Sequence, residues 1–255
     1  MGSLMETMIV QASSYANDID SLIVLVAILG GFWFFLAEGV LFYFIFRFSR
    51  KRNPKAQYIT GEKHSEMRWI HWPHHLVLIC DIVIIVVAIS VWHEIKQTLP
   101  PADRAIRIIG QQWAWTFVHP GKDAELDTDD DVTLVDALHV EINKVYHFKL
   151  EAKDVLHSFS VPVFRLKQDA IPGRTVSGWF KPTRAGVYDI QCAEICGIGH
   201  GIMAAKIYVH TPEEYNKWLA AASDKQKGIP QAPNAPKKAW ASNTSNVKEV
   251  GKFVF

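Results

Sequence analysis

Between Cys192 and Met203 the chain reads Cys-Ala-Glu-Ile-Cys-Gly-Ile-Gly-His-Gly-Ile-Met, which sets Cys192, Cys196, His200 and Met203 at spacings of four, four and three. Two thiols, an imidazole and a thioether are soft donors. That set selects copper, with the thioether as a weak, long ligand in electron-transfer sites. A mononuclear centre of this kind needs one thiolate. A second thiolate can bridge two copper ions so that they share one electron, and it calls for another imidazole from upstream. His157, in Asp154-Val-Leu-His-Ser-Phe159, supplies one. The same residues also admit a disulfide across the loop, half of a zinc site, or a chance pair. Met is a poor zinc ligand, and none of these alternatives accounts for His200 and Met203 following in register. Cys80, the third thiol, lies in an apolar run and reads as a small buried hydrophobe.

The elements that position these residues divide by composition. The 255 residues carry a formal net charge of +1, and no basic cluster with interleaved aromatics appears outside one short loop, so nothing points to nucleic acid. From Ser21 to Phe46 the only charge is Glu38, over a length sufficient to span a bilayer. A second apolar run gathers from Trp69 through Leu76 to Trp92, with Asp81 its only acid. It is shorter, and tilt or a helical extension through the Trp69–His75 approach lets it cross. Glu38 and Asp81, costly inside such spans, are expected to meet a partner helix. No Lys or Arg precedes Arg47, after which come Arg50, Lys51, Arg52, Lys55, Lys63 and Arg68. The excess of basic residues places that loop on the cytoplasmic or matrix side. Both termini and the copper loop then face the periplasm of a bacterium or the intermembrane space of a mitochondrion. The start of the chain lacks the charged n-region of a secretory signal.

From Pro100 onward short alternating segments take over: Arg104–Ile109, Trp113–Val118, Ala137–Ile142, Tyr146–Leu150, Thr175–Phe180, Val187–Gln191 and Ala204–Val209. Gly/Pro turns separate them, which predicts an all-β sandwich or barrel. A Greek-key sandwich of the cupredoxin type suits the pattern and puts His157 on one loop and the Cys–His–Met cluster on another. Thr211 caps a short helix over Pro212–Ser223. The expected organisation is therefore an outer N-terminal segment (1–20), a two-helix transmembrane hairpin with a basic inner loop (21–99), the β domain with its short terminal helix (100–223), and an extended tail (224–255). No internal repeat and no Cys-x-x-Cys-His appear, so no haem c domain is expected.

Over roughly Ser21 to Trp218 the chain resembles cytochrome c oxidase subunit II. Besides the copper cluster, the resemblance rests on Gly110-Gln-Gln-Trp-Ala-Trp115, on Leu166-Lys-Gln-Asp-Ala-Ile-Pro-Gly-Arg174 and on Glu66-Met-Arg-Trp-Ile-His-Trp-Pro73. Phe159, where the family commonly has Trp, and the tail depart from its pattern without touching a ligand. The resemblance implies two copper ions bridged by Cys192 and Cys196. One would add His157 and Met203, the other His200 and the carbonyl of Glu194. It further implies that the Glu194 carboxylate helps hold magnesium at the junction with subunit I, an ion that prefers oxygen ligands. By the same likeness Trp113 receives electrons and Glu66 marks the mouth of a proton channel shared with subunit I. Period-two spacing would put Trp113 and Trp115 on one strand face, so only the resemblance singles out the first. Haem would reside in subunit I alone, subunit III would complete the complex, and cytochrome c would be the donor.

The run Lys122-Asp123-Ala-Glu125-Leu-Asp127-Thr-Asp129-Asp130-Asp131 holds six acids against one base. Placed beside the copper site it would steer the basic face of cytochrome c, with Asp154 and Asp169 adding to the patch. The rival readings are a copper-bearing subunit of a nitric oxide reductase, a membrane-anchored copper-binding or delivery protein, and a quinol-oxidase subunit of the same fold. Glu66 and Glu194 favour the oxidase over the first. A delivery protein needs exchangeable copper, and the quinol form lacks the cysteines and histidines present here.

Overall fold

The computed structural model describes residues 3–55 and 58–226. After a single helical turn, α1 (Ser3–Glu6), come two long helices, α2 (Ala16–Arg47) and α3 (His64–Trp92). Both are long and apolar enough to cross a membrane. They begin earlier than the apolar runs alone suggest, because polar first turns extend each helix beyond its hydrocarbon-matched stretch. Pro73 lies inside α3, where it removes one backbone hydrogen bond. Cys80 is not buried as expected. It is partly exposed on α3, and its sulfur accepts from the Trp33 indole of α2 at 3.4 Å. Asp81 is exposed and Glu38 half-buried.

The rest is a sandwich of two five-stranded sheets. One has the order β3-β2-β1-β5-β8 and contains β1 (Arg104–Gln111), β2 (Ala114–His119), β3 (Val132–Val135), β5 (Tyr146–Ala152) and β8 (Val176–Phe180). The other, β4-β10-β9-β6-β7, contains β4 (Ala137–Glu141), β6 (His157–Val161), β7 (Leu166–Ala170), β9 (Gly186–Cys192) and β10 (Ala204–His210). Pairing is mixed: β1 runs parallel to β5 and β4 parallel to β10, the others antiparallel. Alternation drives the strands. In β5, Tyr146, Phe148 and Leu150 are buried while His147, Lys149 and Glu151 lie outward. Trp115, Phe117, Phe159, Phe164 and Phe180 fill the space between the sheets, each such ring contributing roughly 1.5–3 kcal/mol by leaving water.

β3, β6 and β7 escape the sequence reading, and each breaks the two-residue alternation. β3 is short, β7 carries Lys-Gln-Asp in its middle, and β6 buries His157 and Ser158 along with Phe159. His157 therefore heads a strand rather than sitting on a loop. The helix after Thr211, α4 (Pro212–Gln226), runs slightly longer than expected. A capping box starts it: Thr211 N donates to Glu214 Oε2 at 2.9 Å, and Glu214 N donates to Thr211 Oγ1 at 3.4 Å. Of the tail expected over 224–255, residues 227–255 lie outside the described residues.

The N-terminal segment is part of the outer domain rather than a free approach to the membrane. Ala12 N donates to Val163 O, Ser14 N to Lys181 O, and Thr183 N to Ala12 O, while Ala12 and Tyr15 join the core. Arg165 fastens the arrangement. Its guanidinium reaches both carboxylate oxygens of Asp20 at 2.6 and 2.8 Å and donates to the carbonyls of Ile9, Val10 and Pro162. Asp20 is fully buried. Truncating Arg165 would leave that carboxylate uncompensated, a loss of about 3–5 kcal/mol, whereas replacing both partners by apolar residues is often nearly neutral. Arg165→Ala is thus expected to lower the unfolding free energy of the outer domain by that amount, and Arg165→Met with Asp20→Leu to recover most of it. Denaturant titration of the full chain in detergent measures both.

Helix α4 closes one side of the sandwich through imidazoles. His139 lies flat between Trp218 and Tyr208, with centroids at 4.3 and 4.5 Å, and its Nδ1 meets His210 Nε2 at 2.8 Å. His119 is fully buried edge-on to Trp218, and neither of its ring nitrogens finds a partner among the described residues. Burial first, and the neighbouring imidazole second, push His119 down to about 3 and His139 to about 4. Their folded values lie below the ordinary one near 6.5, so the docked state is favoured while they are neutral. That advantage is lost as pH falls from about 6.5 towards 4 for His139 and towards 3 for His119. Hydrogen-exchange protection of α4 should fall over this interval, and His119→Leu should flatten the fall.

Candidate metal centre

Two segments from neighbouring strands bring the soft donors together. β6 pairs with β9, setting Phe159 opposite Cys192, and Ala193 N donates to Ser158 O at 2.9 Å. The cluster then closes on itself, because Cys192 N donates to Met203 O at 3.2 Å. Cys192 Sγ and Cys196 Sγ lie 3.7 Å apart. His157 Nδ1 stands 3.9 Å from Cys192 Sγ, and the Glu194 carbonyl oxygen 3.3 Å. His200 Nδ1 is 3.6 Å and Met203 Sδ 3.7 Å from Cys196 Sγ. His157, both cysteines and Met203 are buried or nearly so.

The imidazole is aimed from behind. His157 Nε2 lies 2.8 Å from Asp154 Oδ1, and Asp154 Oδ2 accepts from Gln112 N at 2.7 Å. With the acid accepting, Nε2 carries the proton and Nδ1 presents its lone pair to the thiols, the usual way a carboxylate fixes a metal-binding imidazole. Burial works to raise Asp154, but hydrogen bonds from Gln112 N, His157 and Val155 N outweigh it and hold the carboxyl below its ordinary value. Ser158 Oγ donates to Asp169 at 2.8 Å, which ties that acid to the same strand.

Trp113 is in the turn between β1 and β2, outside the strand, so it does not share a face with Trp115 as period two suggested. Trp115 is buried against Phe159 and the His157 ring. Trp113 is 36% exposed, and its indole N–H donates to Cys196 O at 3.1 Å, beside a second donor to that carbonyl, Gln112 Nε2. Space here is tight, and at position 199 only glycine fits. A Cβ on Gly199 would come within 2.3 Å of the Trp113 ring, and one on Gly110 within 3.1 Å of His157.

The acid run lies elsewhere. It leaves from His119, and β2 carries the chain about 17 Å from the Trp113 turn before the run begins. Much of it is spent on its own folding: Asp130 accepts from Lys122 N, Asp123 N and Thr128 Oγ1, Asp123 accepts from Glu125 N, Asp131 accepts from Asp127 N, and Asp127 pairs with Arg107. Burial pushes Asp131 up to about 7. Of the acids expected to dock a partner, the structure brings Asp154 and Asp169 to the cluster and leaves Asp123, Glu125, Asp127, Asp129 and Asp130 along a different edge. Glu66 is at the far end of α3, where its carboxylate accepts from Gly61 N at 3.1 Å.

The donor set fits soft cations. Burial, and then the adjacent Cys192 thiol, push the Cys196 thiol up to about 11, so the pair resists ionising unless positive charge enters between the sulfurs. The relatives are consistent with this chemistry. The sequence family described as cytochrome c oxidase subunit II, periplasmic domain, matches residues 104–210. An alternative cytochrome c oxidase subunit 2 of Bradyrhizobium diazoefficiens is 33% identical over 215 residues, covering 74% of this chain and 76% of that one. The chain belongs to the cytochrome c oxidase subunit 2 family. The subunit 2 of Thermostichus vulcanus is 42% identical over 116 residues, 46% of this chain and 32% of its own. The crystal structure of the periplasmic domain of cytochrome oxidase subunit II of Bradyrhizobium japonicum is 30% identical, covers 50% of this chain and 99% of that one, and superposes with a TM-score of 0.45.

Within a family of oxidase subunits, the second set of contacts around the cysteines becomes the quantity to perturb. Sequence reading treated Asp154 as a docking acid and missed its hold on His157. The signal was present, since an acid three residues before a ligand histidine can reach its distal nitrogen. Asp154→Ala should weaken metal binding about 10–100-fold without unfolding the domain. Competition against a chelator of known affinity, alongside a thermal melt of the metal-free protein, checks both parts.

Proposed function

We propose that this chain accepts electrons one at a time from a cytochrome c on the outer face of the membrane and passes them to haem in a partner subunit, where oxygen is reduced and protons are pumped. The observation that carries the reading is the buried thiol pair, 3.7 Å apart, flanked by two imidazole nitrogens, a thioether and a carbonyl. Cys192 and Cys196 would bridge two copper ions, with His157 and Met203 serving one and His200 and the Glu194 carbonyl the other. Bound there, copper would supply reversible one-electron chemistry shared between two nuclei.

The chain's own residues supply the geometry and exclude water. Phe159 and Trp115 wall the cluster on the core side, and Asp154 keeps Nδ1 of His157 pointed inward. Because each donor is held by backbone pairing or a second hydrogen bond, little need move when the charge changes. Trp113 extends from Cys196 O towards the exposed surface, a π-system in line between solvent and thiols. The Glu194 carboxylate would share magnesium with subunit I, and Glu66 would stand at a proton channel on the other side of the membrane. Subunits I and III would complete the assembly, the basic loop facing inward and both termini outward. Four regions would divide the work along the chain: 1–20, 21–99, 100–223 and 224–255. The acid run at 123–130 would act at long range only, since it lies away from the Trp113 turn.

The copper-loaded full chain should contain two copper ions and show one unpaired electron shared equally by both nuclei in electron paramagnetic resonance. Cys196→Ser should abolish that signal, and Met203→Leu should keep both ions while shifting the potential, the thioether being a weak axial ligand. A signal confined to one nucleus, or equal copper loss in the two variants, would overturn the binuclear reading.

Trp113→Phe should slow reduction of copper by cytochrome c at least tenfold while leaving copper content and donor affinity nearly unchanged. Trp115→Phe should instead cost about 1–3 kcal/mol of stability, since its ring is fully buried. Stopped-flow reduction with separately measured binding distinguishes the two. A larger kinetic defect in the Trp115 variant would assign the electron path to the wrong ring.

A further inference from the structure

The inner end of α3 carries a feature that electron transfer does not use. His64, Arg68, His71 and His75 follow one another at intervals of four, three and four. At about 100° per residue they fall within roughly 60° on one helical face. With Ser65, Met67 and Trp72 they line an open cavity of about 610 Å³. The His71 and His75 rings stack at 6.3 Å with an 18° tilt, and Arg68, His71, Trp72 and His75 are all exposed. Cys80, which meets Trp33 of α2, lies about 150° round the helix, and Glu66 about 170° round. The face therefore points away from both α2 and the carboxylate expected at the subunit I channel.

We infer that this face binds the phosphodiester headgroup of an anionic phospholipid of the inner leaflet. Three things select that occupant. The face stands where an apolar span meets the basic loop, in which Arg47, Arg50, Lys51, Arg52, Lys55, Lys63 and Arg68 outnumber Glu62 and Glu66. That is the depth at which headgroup phosphates lie, and basic pockets beside transmembrane helices on this side take acidic lipids. Its donors match a phosphate diester: the guanidinium forks onto two oxygens, and imidazole N–H groups reach others from the turns above and below. Trp72, exposed beside this face, is an amphipathic ring suited to the interface and lies against the acyl chains as they leave the headgroup. The inference needs only the membrane orientation of the chain, so it stands or falls separately from the copper reading.

The full chain, and the assembled complex, would be purified from membranes of phosphatidylcholine containing one tenth phosphatidylglycerol, and the retained lipids counted by mass spectrometry. Wild type should retain phosphatidylglycerol at least fivefold above its share. Arg68→Gln with His71→Gln and His75→Gln should reduce it to its share, while Arg68→Lys with both histidines kept should hold most of it. His93→Gln, at the other end of α3, should change nothing. Copper loading of each variant reports that the outer domain is folded. Unchanged enrichment in the triple variant would overturn the inference. So would loss of a neighbouring subunit with the lipid count intact, which would assign the face to a protein contact.

Discussion

Two thiols packed side by side in a dry pocket are an unstable proposition for a protein, and the organisation of the outer domain follows from keeping them so. Left alone, the pair could close to a disulfide or stay protonated. Burial, and then the neighbouring Cys192 thiol, raise the cost of ionising Cys196. Only soft positive charge between them turns that cost into stabilisation. The surrounding fold therefore has to hold the sulfurs 3.7 Å apart without help from a covalent bond. It does so by making Cys192 the last residue of a paired strand and by returning Met203 to the Cys192 amide.

The supports are arranged in a second ring that touches no sulfur. Gln112 and Trp113 both donate to the Cys196 carbonyl, and Gln112 also donates its backbone N–H to Asp154. One short turn thus reaches both ligand segments, the cysteine loop directly and His157 through Asp154. This joins the two sheets at the thiol end of the sandwich, and it explains why glycine is needed at position 199, where a Cβ would displace the Trp113 ring. Rigidity of this kind suits electron transfer, because the donors are set before the charge arrives.

How much of this was legible in the sequence depended on whether the signal was local. Cys192, Cys196, His200 and Met203 lie within one loop, so their chemistry is readable from spacing alone. The tryptophan turn and His157 come from distant stretches: His157 was reachable only as the further imidazole that a second thiolate calls for, and only resemblance linked the tryptophan to the loop. β6 was invisible because alternation assumes that buried means apolar. At the metal strand the buried residues include His157 and Ser158, which are satisfied by Asp154 and Asp169 rather than by hydrophobic contact. Net charge also leaves out how the acid run is held: several of its carboxylates are hydrogen-bond acceptors for their own loop, and pairing places it at the other end of β2.

The membrane hairpin and the outer domain meet through polar contacts that hydropathy does not display. Arg165 adopts a left-handed backbone conformation, φ 56°, and from there its guanidinium gathers Asp20 and three carbonyls of the flanking segments. Lys96 reaches Gln168 at 2.8 Å, and Trp179 donates to Ile95 O at 2.9 Å, so the helical turn His93–Gln97 that continues α3 is tied to β7 and β8. Both helical segments are thus anchored to the same sandwich by buried or half-buried hydrogen-bonding groups that add to the apolar packing of Tyr15, Ile19 and Ile95 on its core. A metal centre carried on a flexible tether would sample many distances from a partner in the membrane. Fixed at two points to the two long apolar helices, the thiol cluster is restricted to a narrow range, and in the proposed function the distance over which an electron passes would be set by the fold rather than by diffusion.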